Sequence, residues 1–463
     1  SAICGAANTV WRNESTSRDR VVLVDTGQAM GEANTWGLAL GDVDGDGRLD
    51  AYFANYGPPP DAYCRTAEGE PDEVWLGDGT GRFADTGQSL GGARRSGWRG
   101  QGVALGDVDG DGRLDLWLAA AGPDRVLLGA GDGTMIDSGA ALGDADGRDV
   151  ALGDLDGDGD LDAVVANVGP GGHDVWLNDG PAPLASARWR HGGQDLGGEP
   201  WERRGNAVAL GDLDGDGRLD AFVANTGKDI VLLGRGDGRL VDSGLRLGRT
   251  RPGDPRGTTA PHTTDVALGD LDGDGRLDAW TTDAGIGPGE RENVVWLNRT
   301  PPGGPLRLVD SRDALGAAYR PLGDDYSFGV ALGDVDGDGD LDAFVANAAL
   351  HGAPDRVYLG DGSGAFVDSG QRLGMQNGMS VGLADVDGDC VLDAVVANLR
   401  YIPPAAPGMA LCGVAWGGDV WLGDGRGGFR DAGVRLVDGD SRALALGDVD
   451  GDRMVDVAVA NSG

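Results

Sequence analysis

Short apolar runs recur along the whole chain, and Gly, Asp and Pro separate them. Residues 102–105 and 221–225 are examples, and they consist largely of Val, Leu and Ala. Brief runs of this kind, bounded by turn-forming residues, are typical of β-strands, and no stretch shows the long periodicity of a helix. The pattern therefore predicts an all-β protein.

One acidic phrase recurs among these runs, with the form Asp-x-Asp-Gly-Asp-x-x-x-Asp. Leu-Gly usually precedes it, and Ala-x-Val-Ala-Asn usually follows it. Successive copies lie 47 to 65 residues apart, and self-similarity at such a spacing indicates a repeated supersecondary unit. The eight copies begin at Asp42, Asp107, Asp154, Asp212, Asp270, Asp334, Asp385 and Asp448.

A second phrase lies between the copies. It comprises an apolar run such as residues 74–76, a Gly-Asp-Gly turn, and a stretch that ends in Asp-Ser-Gly or Asp-Thr-Gly, as at residues 85–87. Each unit thus contains four short strands, and eight such units predict an eight-bladed β-propeller of four-stranded antiparallel blades. The alternative is a tandem array or two separate domains.

The two chain ends complement each other. The last unit stops after two strands, whereas residues 8–13 and 22–27 match the third and fourth strands of other units. We therefore expect both termini to share one blade, which closes the ring and removes exposed edges. The prediction is a single domain over residues 1–463, with a closing blade of 442–463 plus 1–30 and further blades at approximately 31–90, 91–141, 142–197, 198–247, 248–315, 316–373 and 374–436.

The acidic phrase predicts a metal loop. Carboxylates at positions 1, 3 and 5 of a tight loop converge with a fourth at position 9, and they would repel each other unless a cation neutralised them. Ca²⁺ suits the site because it accepts about six to eight oxygen ligands in flexible geometry, including a backbone carbonyl at position 7. We expect eight Ca²⁺ ions, one per blade. Their ligands would be Asp42, Asp44, Asp46, Arg48 and Asp50; Asp107, Asp109, Asp111, Arg113 and Asp115; Asp154, Asp156, Asp158, Asp160 and Asp162; Asp212, Asp214, Asp216, Arg218 and Asp220; Asp270, Asp272, Asp274, Arg276 and Asp278; Asp334, Asp336, Asp338, Asp340 and Asp342; Asp385, Asp387, Asp389, Val391 and Asp393; and Asp448, Asp450, Asp452, Met454 and Asp456.

These loops are not EF-hands, which require a Glu at the twelfth loop position and flanking helices. Here the twelfth position is occupied by strand-forming residues such as Phe53 and Val223. Position 6 is Gly in six copies, but it is Cys390 and Arg453 in the other two. We expect these two loops to bind with strain or lower affinity, because Gly permits a left-handed backbone there.

The composition is consistent with a packed, metal-binding protein. Gly accounts for 87 of 463 residues, yet 40% of residues are hydrophobic, which is too many for a disordered Gly-rich polymer. The eight loops account for 32 of the 76 acidic residues, so most of the net charge of −38 belongs to the loops. We therefore expect no nucleic-acid partner, and no apolar run approaches the roughly 18 to 20 residues of a membrane span.

Residues 328–342 read Phe-Gly-Val-Ala-Leu-Gly-Asp-Val-Asp-Gly-Asp-Gly-Asp-Leu-Asp. This segment resembles the FG-GAP or VCBS repeat of integrin α-subunit propellers, bacterial VCBS-repeat proteins and cartilage acidic protein. The resemblance covers essentially the whole chain, and it implies a calcium loop between the first two strands of each blade. Integrin propellers have seven blades and carry metal in only some of them, so the resemblance does not extend to a heterodimeric receptor role.

The face opposite the calcium loops is the candidate ligand-binding face. Aromatic and Arg side chains on loops over a rigid scaffold are suited to binding glycans or acidic partners. An alternative role is to plug the central channel or cover blade edges. The candidates are Trp36, Trp98, Arg99, Trp201, Arg203, Tyr319 and Tyr326.

Three of the four cysteines lie in connections between second and third strands. Cys4 with Cys64 is the preferred disulfide, and Cys4 with Cys412 is the rival. Cys390 lies in a calcium loop. A disulfide would require an oxidising compartment, and we therefore expect a secreted or cell-surface protein.

The leading functional hypothesis is a secreted, monomeric, non-enzymatic calcium propeller for adhesion or recognition, with a glycan or protein as its ligand. No Ser-His-Asp order, zinc signature or phosphate loop is present in the sequence. The rival hypothesis is a polysaccharide-active enzyme of the lyase type, which abstracts a proton beside a uronate carboxylate. A third possibility is a purely structural surface module.

Overall fold

A computed structural model gives the architecture. The structure describes residues 7–16, 21–31, 33–57, 70–91, 98–169, 171–180, 189–192, 196, 203–248, 261–285, 292–316, 321–323, 325–348, 353–399, 417–436 and 439–462.

The described chain contains strands and one short helix. The chain begins with β1 (Thr9–Asn13) and β2 (Leu23–Asp25). Blade 1 is β3 (Thr35–Gly41), β4 (Asp50–Asn55), β5 (Glu73–Gly77) and β6 (Phe83–Asp85). Blade 2 is β7 (Gly100–Gly106), β8 (Asp115–Ala120), β9 (Arg125–Gly129) and β10 (Met135–Asp137). Blade 3 is β11 (Asp146–Gly153), β12 (Asp162–Val168), β13 (Asp174–Asn178) and β14 (Trp189–His191). Blade 4 is β15 (Gly205–Gly211), β16 (Asp220–Asn225), β17 (Ile230–Gly234) and β18 (Leu240–Asp242).

The remaining elements follow the same order. Blade 5 is β19 (Thr263–Gly269), β20 (Asp278–Asp283), β21 (Val294–Asn298) and β22 (Leu308–Asp310), followed by α1 (Ser311–Leu315). Blade 6 is β23 (Tyr326–Gly333), β24 (Asp342–Ala348), β25 (Arg356–Gly360) and β26 (Phe366–Asp368). Blade 7 is β27 (Asn377–Ala384), β28 (Asp393–Leu399), β29 (Gly418–Gly423) and β30 (Phe429–Leu436). The chain ends with β31 (Ser441–Gly447) and β32 (Asp456–Asn461).

The strands form eight separate four-stranded antiparallel sheets arranged as a ring. Seven sheets use four consecutive strands, and the eighth has the order β2-β1-β32-β31. The first strands lie side by side around the axis, and β31 returns to lie against β3. The predicted eight-bladed propeller, with N- and C-terminal strands in one blade, is confirmed.

Hydrogen bonds join the two chain ends in this closing blade. The backbone N–H of Asn461 donates to Oδ1 of Asn8 at 2.8 Å. Likewise, the N–H of Asn13 donates to Oδ1 of Asp456 at 2.6 Å. Because these buried groups lie more than 440 residues apart in sequence, the ring closes through specific contacts between its first and last strands.

The hydrophobic core lies between neighbouring blades. In β12, Ala163 and Val165 pack toward Trp117 of blade 2, whereas Val164 and Ala166 pack toward blade 4. This alternation follows from the two-residue period of a strand, which directs successive side chains to opposite faces of the sheet. Each blade therefore depends on both neighbours to cover its faces.

Glutamine side chains bind some blades to the next. The Nε2 of Gln88 in blade 1 donates to the carbonyl of Gly133, and its Oε1 accepts from the N–H of Met135, at 2.7 and 2.8 Å. Gln371 makes the same pair of bonds to Gly427 and Phe429 of the following blade, and Gln28 bonds to both backbone groups of Phe83. These contacts fix the outermost strand of one blade against its neighbour.

Each first strand carries a β-bulge near its start, where one residue has no partner on the second strand. A bulge adds a residue and bends the strand, which changes the direction of the side chains around it. The eight bulge residues are Trp36, Gln101, Arg148, Asn206, Thr264, Phe328, Met379 and Arg442.

The residue after the bulge contacts the first strand of the next blade. Gly occupies this position in blades such as blade 2, where a Cβ on Gly102 would lie 2.7 Å from the Cα of Asp149. In blades 3 and 5 it is an aspartate. Asp149 accepts from the N–H of Val208 at 2.9 Å, and Asp265 accepts from the N–H of Val330 at 3.1 Å. A carboxylate thus replaces close backbone contact at two of these contacts between neighbouring first strands.

We expect Asp265→Asn to alter how stability depends on pH. Burial raises the pKa of Asp265 from 3.8 to about 7, so the folded protein retains a proton that the unfolded chain has released. The proton retained on Asp265 stabilises the folded protein to its full extent below about pH 4. This stabilisation declines by up to ~1.4 kcal/mol per pH unit as the pH rises toward 7. Urea unfolding at pH 5 and pH 8 in excess calcium should therefore show that the wild type loses more stability than the variant.

The matched control is Asp313→Asn, which alters an exposed carboxyl group on α1. This variant should retain the pH dependence of the wild type. Parallel stability profiles for the wild type and Asp265→Asn would contradict the prediction.

Candidate metal centres

The acidic loops connect the first and second strands of every blade. In blade 1, Gly45 and Gly47 have φ angles of +76° and +84°, which are left-handed conformations that favour glycine. Cys390 and Arg453 adopt φ angles of 71° and 75° at the position equivalent to Gly47. The loop conformation is therefore kept in these two blades with a non-glycine residue in a strained backbone region.

Backbone N–H groups orient the first carboxylate of the loop. Oδ1 of Asp42 accepts from the N–H of Asp46 at 3.0 Å, and Oδ2 accepts from the N–H of Gly47 at 2.9 Å. Asp107 makes the same two contacts in blade 2. The loop thus wraps around the position 1 side chain.

The position 9 carboxylate connects the loop to the rest of the blade. Asp50 is 1% exposed; its Oδ2 accepts from the N–H of Val43 and its Oδ1 from the N–H of Gly77 at the end of the third strand, both at 2.8 Å. All eight blades repeat this pair of bonds. Sequence reasoning treated this residue as a ligand only and missed its structural role.

Burial raises the pKa of each position 9 carboxyl, to about 6 in Asp50 and to about 7 in Asp162. Desolvation is the largest cause, and repulsion from the position 3 carboxylate adds to it. A cation between these groups would favour the charged form of both. The electrostatics of the loop therefore suit a bound cation.

Positions 1, 3 and 9 converge within each described cluster. One carboxylate oxygen from each residue lies within 4.8 Å of the other two. Three further groups meet the same criterion in the part of the chain that the structure describes. The five triads identified by residue are Asp42, Asp44 and Asp50; Asp107, Asp109 and Asp115; Asp154, Asp156 and Asp162; Asp212, Asp214 and Asp220; and Asp270, Asp272 and Asp278.

Two of these triads contain an oxygen that lacks a hydrogen-bond partner. Oδ1 of Asp214 and Oδ1 of Asp272 are buried and accept no hydrogen bond from the described residues. A buried carboxylate oxygen without a partner is costly, and coordination of a metal would satisfy it. The donor set, made of carboxylates only, fits a hard divalent cation.

The position 5 carboxylate is not part of the triads. In blades 1, 2, 4 and 5 it pairs with the Arg at position 7 of its own loop, as Asp46 does with Arg48. Position 7 is a further aspartate, Asp160 or Asp340, in blades 3 and 6. The ligand roles of position 5 and of the position 7 carbonyl stay predictions.

Blade 5 contains a second arginine at its loop. Arg299 follows the third strand, and its guanidinium contacts the carboxylates of Asp272 and Asp274. Asp274 also pairs with Arg276. Two arginines thus approach the acidic groups that a cation would bind.

The predicted ligand-binding residues lie in different environments. Trp36 stacks on Tyr56 with ring centroids 4.2 Å apart, and the guanidinium of Arg99 lies 4.3 Å from the centroid of Tyr56 on the same face of the protein. Trp98 packs against the core between blades 1 and 2. Arg203 precedes β15 and Tyr326 begins β23. Trp201 and Tyr319 lie outside the described residues.

The predicted disulfide also lies outside the described residues, because Cys4, Cys64 and Cys412 are all beyond them. Cys390 is an exposed free cysteine. Within the described part of the chain, no helix is long and apolar enough to cross a membrane.

Comparison of the sequence with protein families identifies the repeat. The FG-GAP-like repeat matches residues 60–118, 107–165, 156–223, 212–281 and 334–396. These segments span more than half of the sequence, so the chain belongs to the FG-GAP-like repeat family. The resemblance inferred from the acidic phrase is confirmed.

Several solved structures are similar to this fold at low identity. They include an Agrocybe aegerita lectin described as recognising non-reducing terminal N-acetylglucosamine, at 20% identity and a TM-score of 0.44 over 79% of this chain and 90% of the lectin. A Lactobacillus plantarum protein matches at 14% identity and 0.49 over 81% and 98% of the two chains. The periplasmic gluconolactonase of Pseudomonas aeruginosa matches at 18% identity and 0.45 over 80% and 97%. None of the curated proteins matches the sequence.

We expect Arg299→Gln to strengthen divalent cation binding in blade 5. The variant removes a positive charge that lies against two carboxylates of the loop, and a nearby charge of this kind typically changes affinity by about tenfold. Native mass spectrometry during a calcium titration should show one ion binding at a lower free calcium concentration than in the wild type.

The control is Arg426→Gln, because Arg426 is exposed on the same face and makes no ion pair among the described residues. Its titration should match that of the wild type. An unchanged titration for Arg299→Gln would show that Arg299 does not compete with the cation.

Proposed function

We propose that this protein is a secreted calcium-binding β-propeller that recognises a glycan or protein partner and has no catalytic activity of its own. The recurrence of one carboxylate geometry around the ring carries the proposal. Each described triad combines an exposed loop with a buried position 9 aspartate, so ion binding and blade packing share a residue.

Calcium is the cation that best suits these loops. It binds oxygen ligands in variable number and geometry, whereas Mg²⁺ demands a near-ideal octahedron and retains several waters. The loops offer carboxylates on a Gly-containing backbone, with one unpartnered oxygen at Asp214 and another at Asp272. When bound, the ion would neutralise the loop and hold its carboxylates together.

The chain's own residues would position the ion. The N–H groups of Asp46 and Gly47 orient Asp42, while those of Val43 and Gly77 hold Asp50. Ion binding would therefore stabilise the connection between the loop and the third strand. This geometry supports a stabilising role for calcium, because no side chain in the triads points to a separate reaction.

The extracellular location follows from the expected affinity. We expect the loops to bind in the range of extracellular calcium modules, about 10⁻⁴ to 10⁻³ M. Such sites would fill outside the cell rather than in the cytosol. The ring then provides a rigid scaffold, and the face opposite the loops is available for a ligand.

A second candidate function is that of an enzyme acting on acidic polysaccharides. Asp149 and Asp265 have pKa values raised by burial, and they lie close enough for the charge on Asp149 to raise the pKa of Asp265 further. Carboxyl groups with pKa values of about 6 and 7 are suited to proton transfer. Incubation with a polyuronate, monitored by ultraviolet absorbance of an unsaturated product, would support this candidate if absorbance rose with time.

We expect a chelator to destabilise the protein strongly. Removing the ions would leave the loop carboxylates unneutralised and would remove binding energy that favours the folded state. Differential scanning calorimetry in excess EGTA should show a melting temperature lower by about 10 °C or more than in millimolar calcium. Added calcium should restore it, whereas sodium chloride of equal ionic strength should not. An unchanged melting temperature in EGTA would contradict calcium stabilisation.

We expect a glycan array to identify a ligand when it is probed with folded protein in millimolar calcium. Binding to a defined sugar class would support recognition of a glycan. Circular dichroism of the same sample would establish that the protein is folded. Failure of well-folded protein to bind any sugar would contradict the glycan hypothesis and leave a protein partner.

A further inference from the structure

Eight equivalent residues mark the start of the first strands, at the end of the ring opposite the metal loops. In blade 2, the carbonyl of Arg99 accepts from the N–H of Ala121, the residue that follows the second strand, at 3.1 Å. In blade 4, the carbonyl of Arg204 accepts from Thr226 in the same way, at 2.8 Å. Backbone pairing makes these eight positions equivalent, and they are Asn34, Arg99, Asp146, Arg204, His262, Tyr326, Asn377 and Asp440.

Each of these residues lies two positions before the bulge residue of the same strand. We call the eight equivalent residues and the eight bulge residues together the rim. Because the first strands surround the axis, the rim encircles the axis at the end of the ring remote from the loops. It is therefore a ring of side chains contributed by all eight blades.

The rim reverses the charge balance of the protein. The whole chain contains 76 acidic and 38 basic residues. The rim contains four arginines but only two aspartates, Asp146 and Asp440. A locally basic surface on an acidic protein attracts anionic ligands. The four arginines are Arg99, Arg148, Arg204 and Arg442.

The arginines of blades 2 to 4 form an arc that ends beside His262 of blade 5. Burial lowers the pKa of His262, and the positive charges of Arg204 and Arg148 lower it further. Arg99 lies on the rim in blade 2, the blade that precedes that of Arg148. Three consecutive blades thus each contribute one arginine, of which Arg148 pairs with the rim aspartate Asp146 at 3.2 Å. The arginines give this part of the rim an anion-binding character.

Some arginines of this arc have no acidic partner. Arg99 and Arg204 are exposed, and neither makes an ion pair among the described residues. Elsewhere on the ring, arginines such as Arg246 and Arg372 pair with a carboxylate four residues away. In a chain with excess acid, guanidinium groups without acidic partners indicate a place where a ligand supplies the negative charge.

Arg99 is held in position by a stack of side chains. The guanidinium of Arg442 lies 4.3 Å from the centroid of Trp36, Trp36 stacks on Tyr56, and Arg99 covers the other side of Tyr56. Arg99 also donates to the hydroxyl of Tyr56 at 2.7 Å. Its φ angle of 49° is unusual for a non-glycine residue, and strain of this kind is found at ligand-binding sites.

The aromatic residues of the rim come from blades 6 and 1. Blade 6 contributes Tyr326 and Phe328, and blade 1 contributes Trp36. Both faces of Trp36 are covered, so Tyr326 and Phe328 are the rings suited to contact a ligand. Aromatic rings favour the C–H faces of sugars, whereas an acidic peptide would need only the basic arc.

We propose that the rim binds an acidic saccharide, with its carboxylates on Arg99 and Arg204 and its sugar rings against Tyr326 and Phe328. The proposal rests on the recognition function proposed above and specifies its ligand class. Guanidinium groups bind carboxylates through paired, charge-assisted hydrogen bonds.

The test compares two probes that differ only in charge. One is a hexamer of β-1,4-linked glucuronate, and the other is cellohexaose, which carries a CH₂OH group in place of each carboxylate. Isothermal titration calorimetry in calcium should show binding of the glucuronate hexamer and at least tenfold weaker binding of cellohexaose. Equal affinity for both probes, or no binding of the glucuronate hexamer, would overturn the proposal.

The variant is the double substitution Arg99→Gln with Arg204→Gln, which should reduce glucuronate affinity at least tenfold. Its control is Arg239→Gln with Arg426→Gln, which removes two exposed charges from the face of the metal loops. The control should bind within twofold of the wild type, and both variants should melt near the wild-type temperature in calcium. Unchanged binding by the rim variant would overturn the proposal, as would binding of polyglutamate in preference to glucuronate. If the protein loses stability in EGTA but does not bind glucuronate, calcium binding remains supported and only the proposed ligand class is refuted.

Discussion

The buried aspartate at position 9 of each loop is the interaction on which the rest of the structure depends. Asp50 accepts hydrogen bonds from Val43 in the loop and from Gly77 in the third strand, and its neighbours in the triad are carboxylates. One side chain thus connects the loop, the blade and the proposed ion. Since every blade repeats this arrangement, the stability of the ring depends on how the loop charges are neutralised.

Neutralisation differs among the blades although the acidic phrase is constant. In blade 1, Arg48 at position 7 pairs with Asp46, whereas blade 3 has Asp160 at the same position. Blade 5 adds Arg299, which contacts two loop carboxylates. Equivalent loops therefore have different local charge, and cation affinity would differ among them for that reason.

The two ends of the ring have different chemistry. The loop end concentrates carboxylates that a hard cation can hold together, and the rim combines arginines with aromatic side chains. Because the first strand of each blade spans from rim to loop, the same strands position both ends. Rigid strands allow the rim to hold residues such as Arg99 in a strained conformation, while the loops supply the candidate metal sites.

The sequence alone determined the fold class, the number of blades, the shared closing blade and the positions of the acidic loops. Each of these features appears in the sequence as a repeated phrase or as apolar runs that alternate with turn-forming residues. It did not reveal that Asp50 bonds to the third strand, or that Arg299 approaches Asp272, since these contacts join residues distant in sequence. The sequence alone did not reveal the rim either. Arg99, Arg204 and His262 come from three blades, and only ring closure with equivalent strand pairing brings them to one end of the axis. Local patterns specify strands and loops, whereas tertiary packing decides which distant side chains meet.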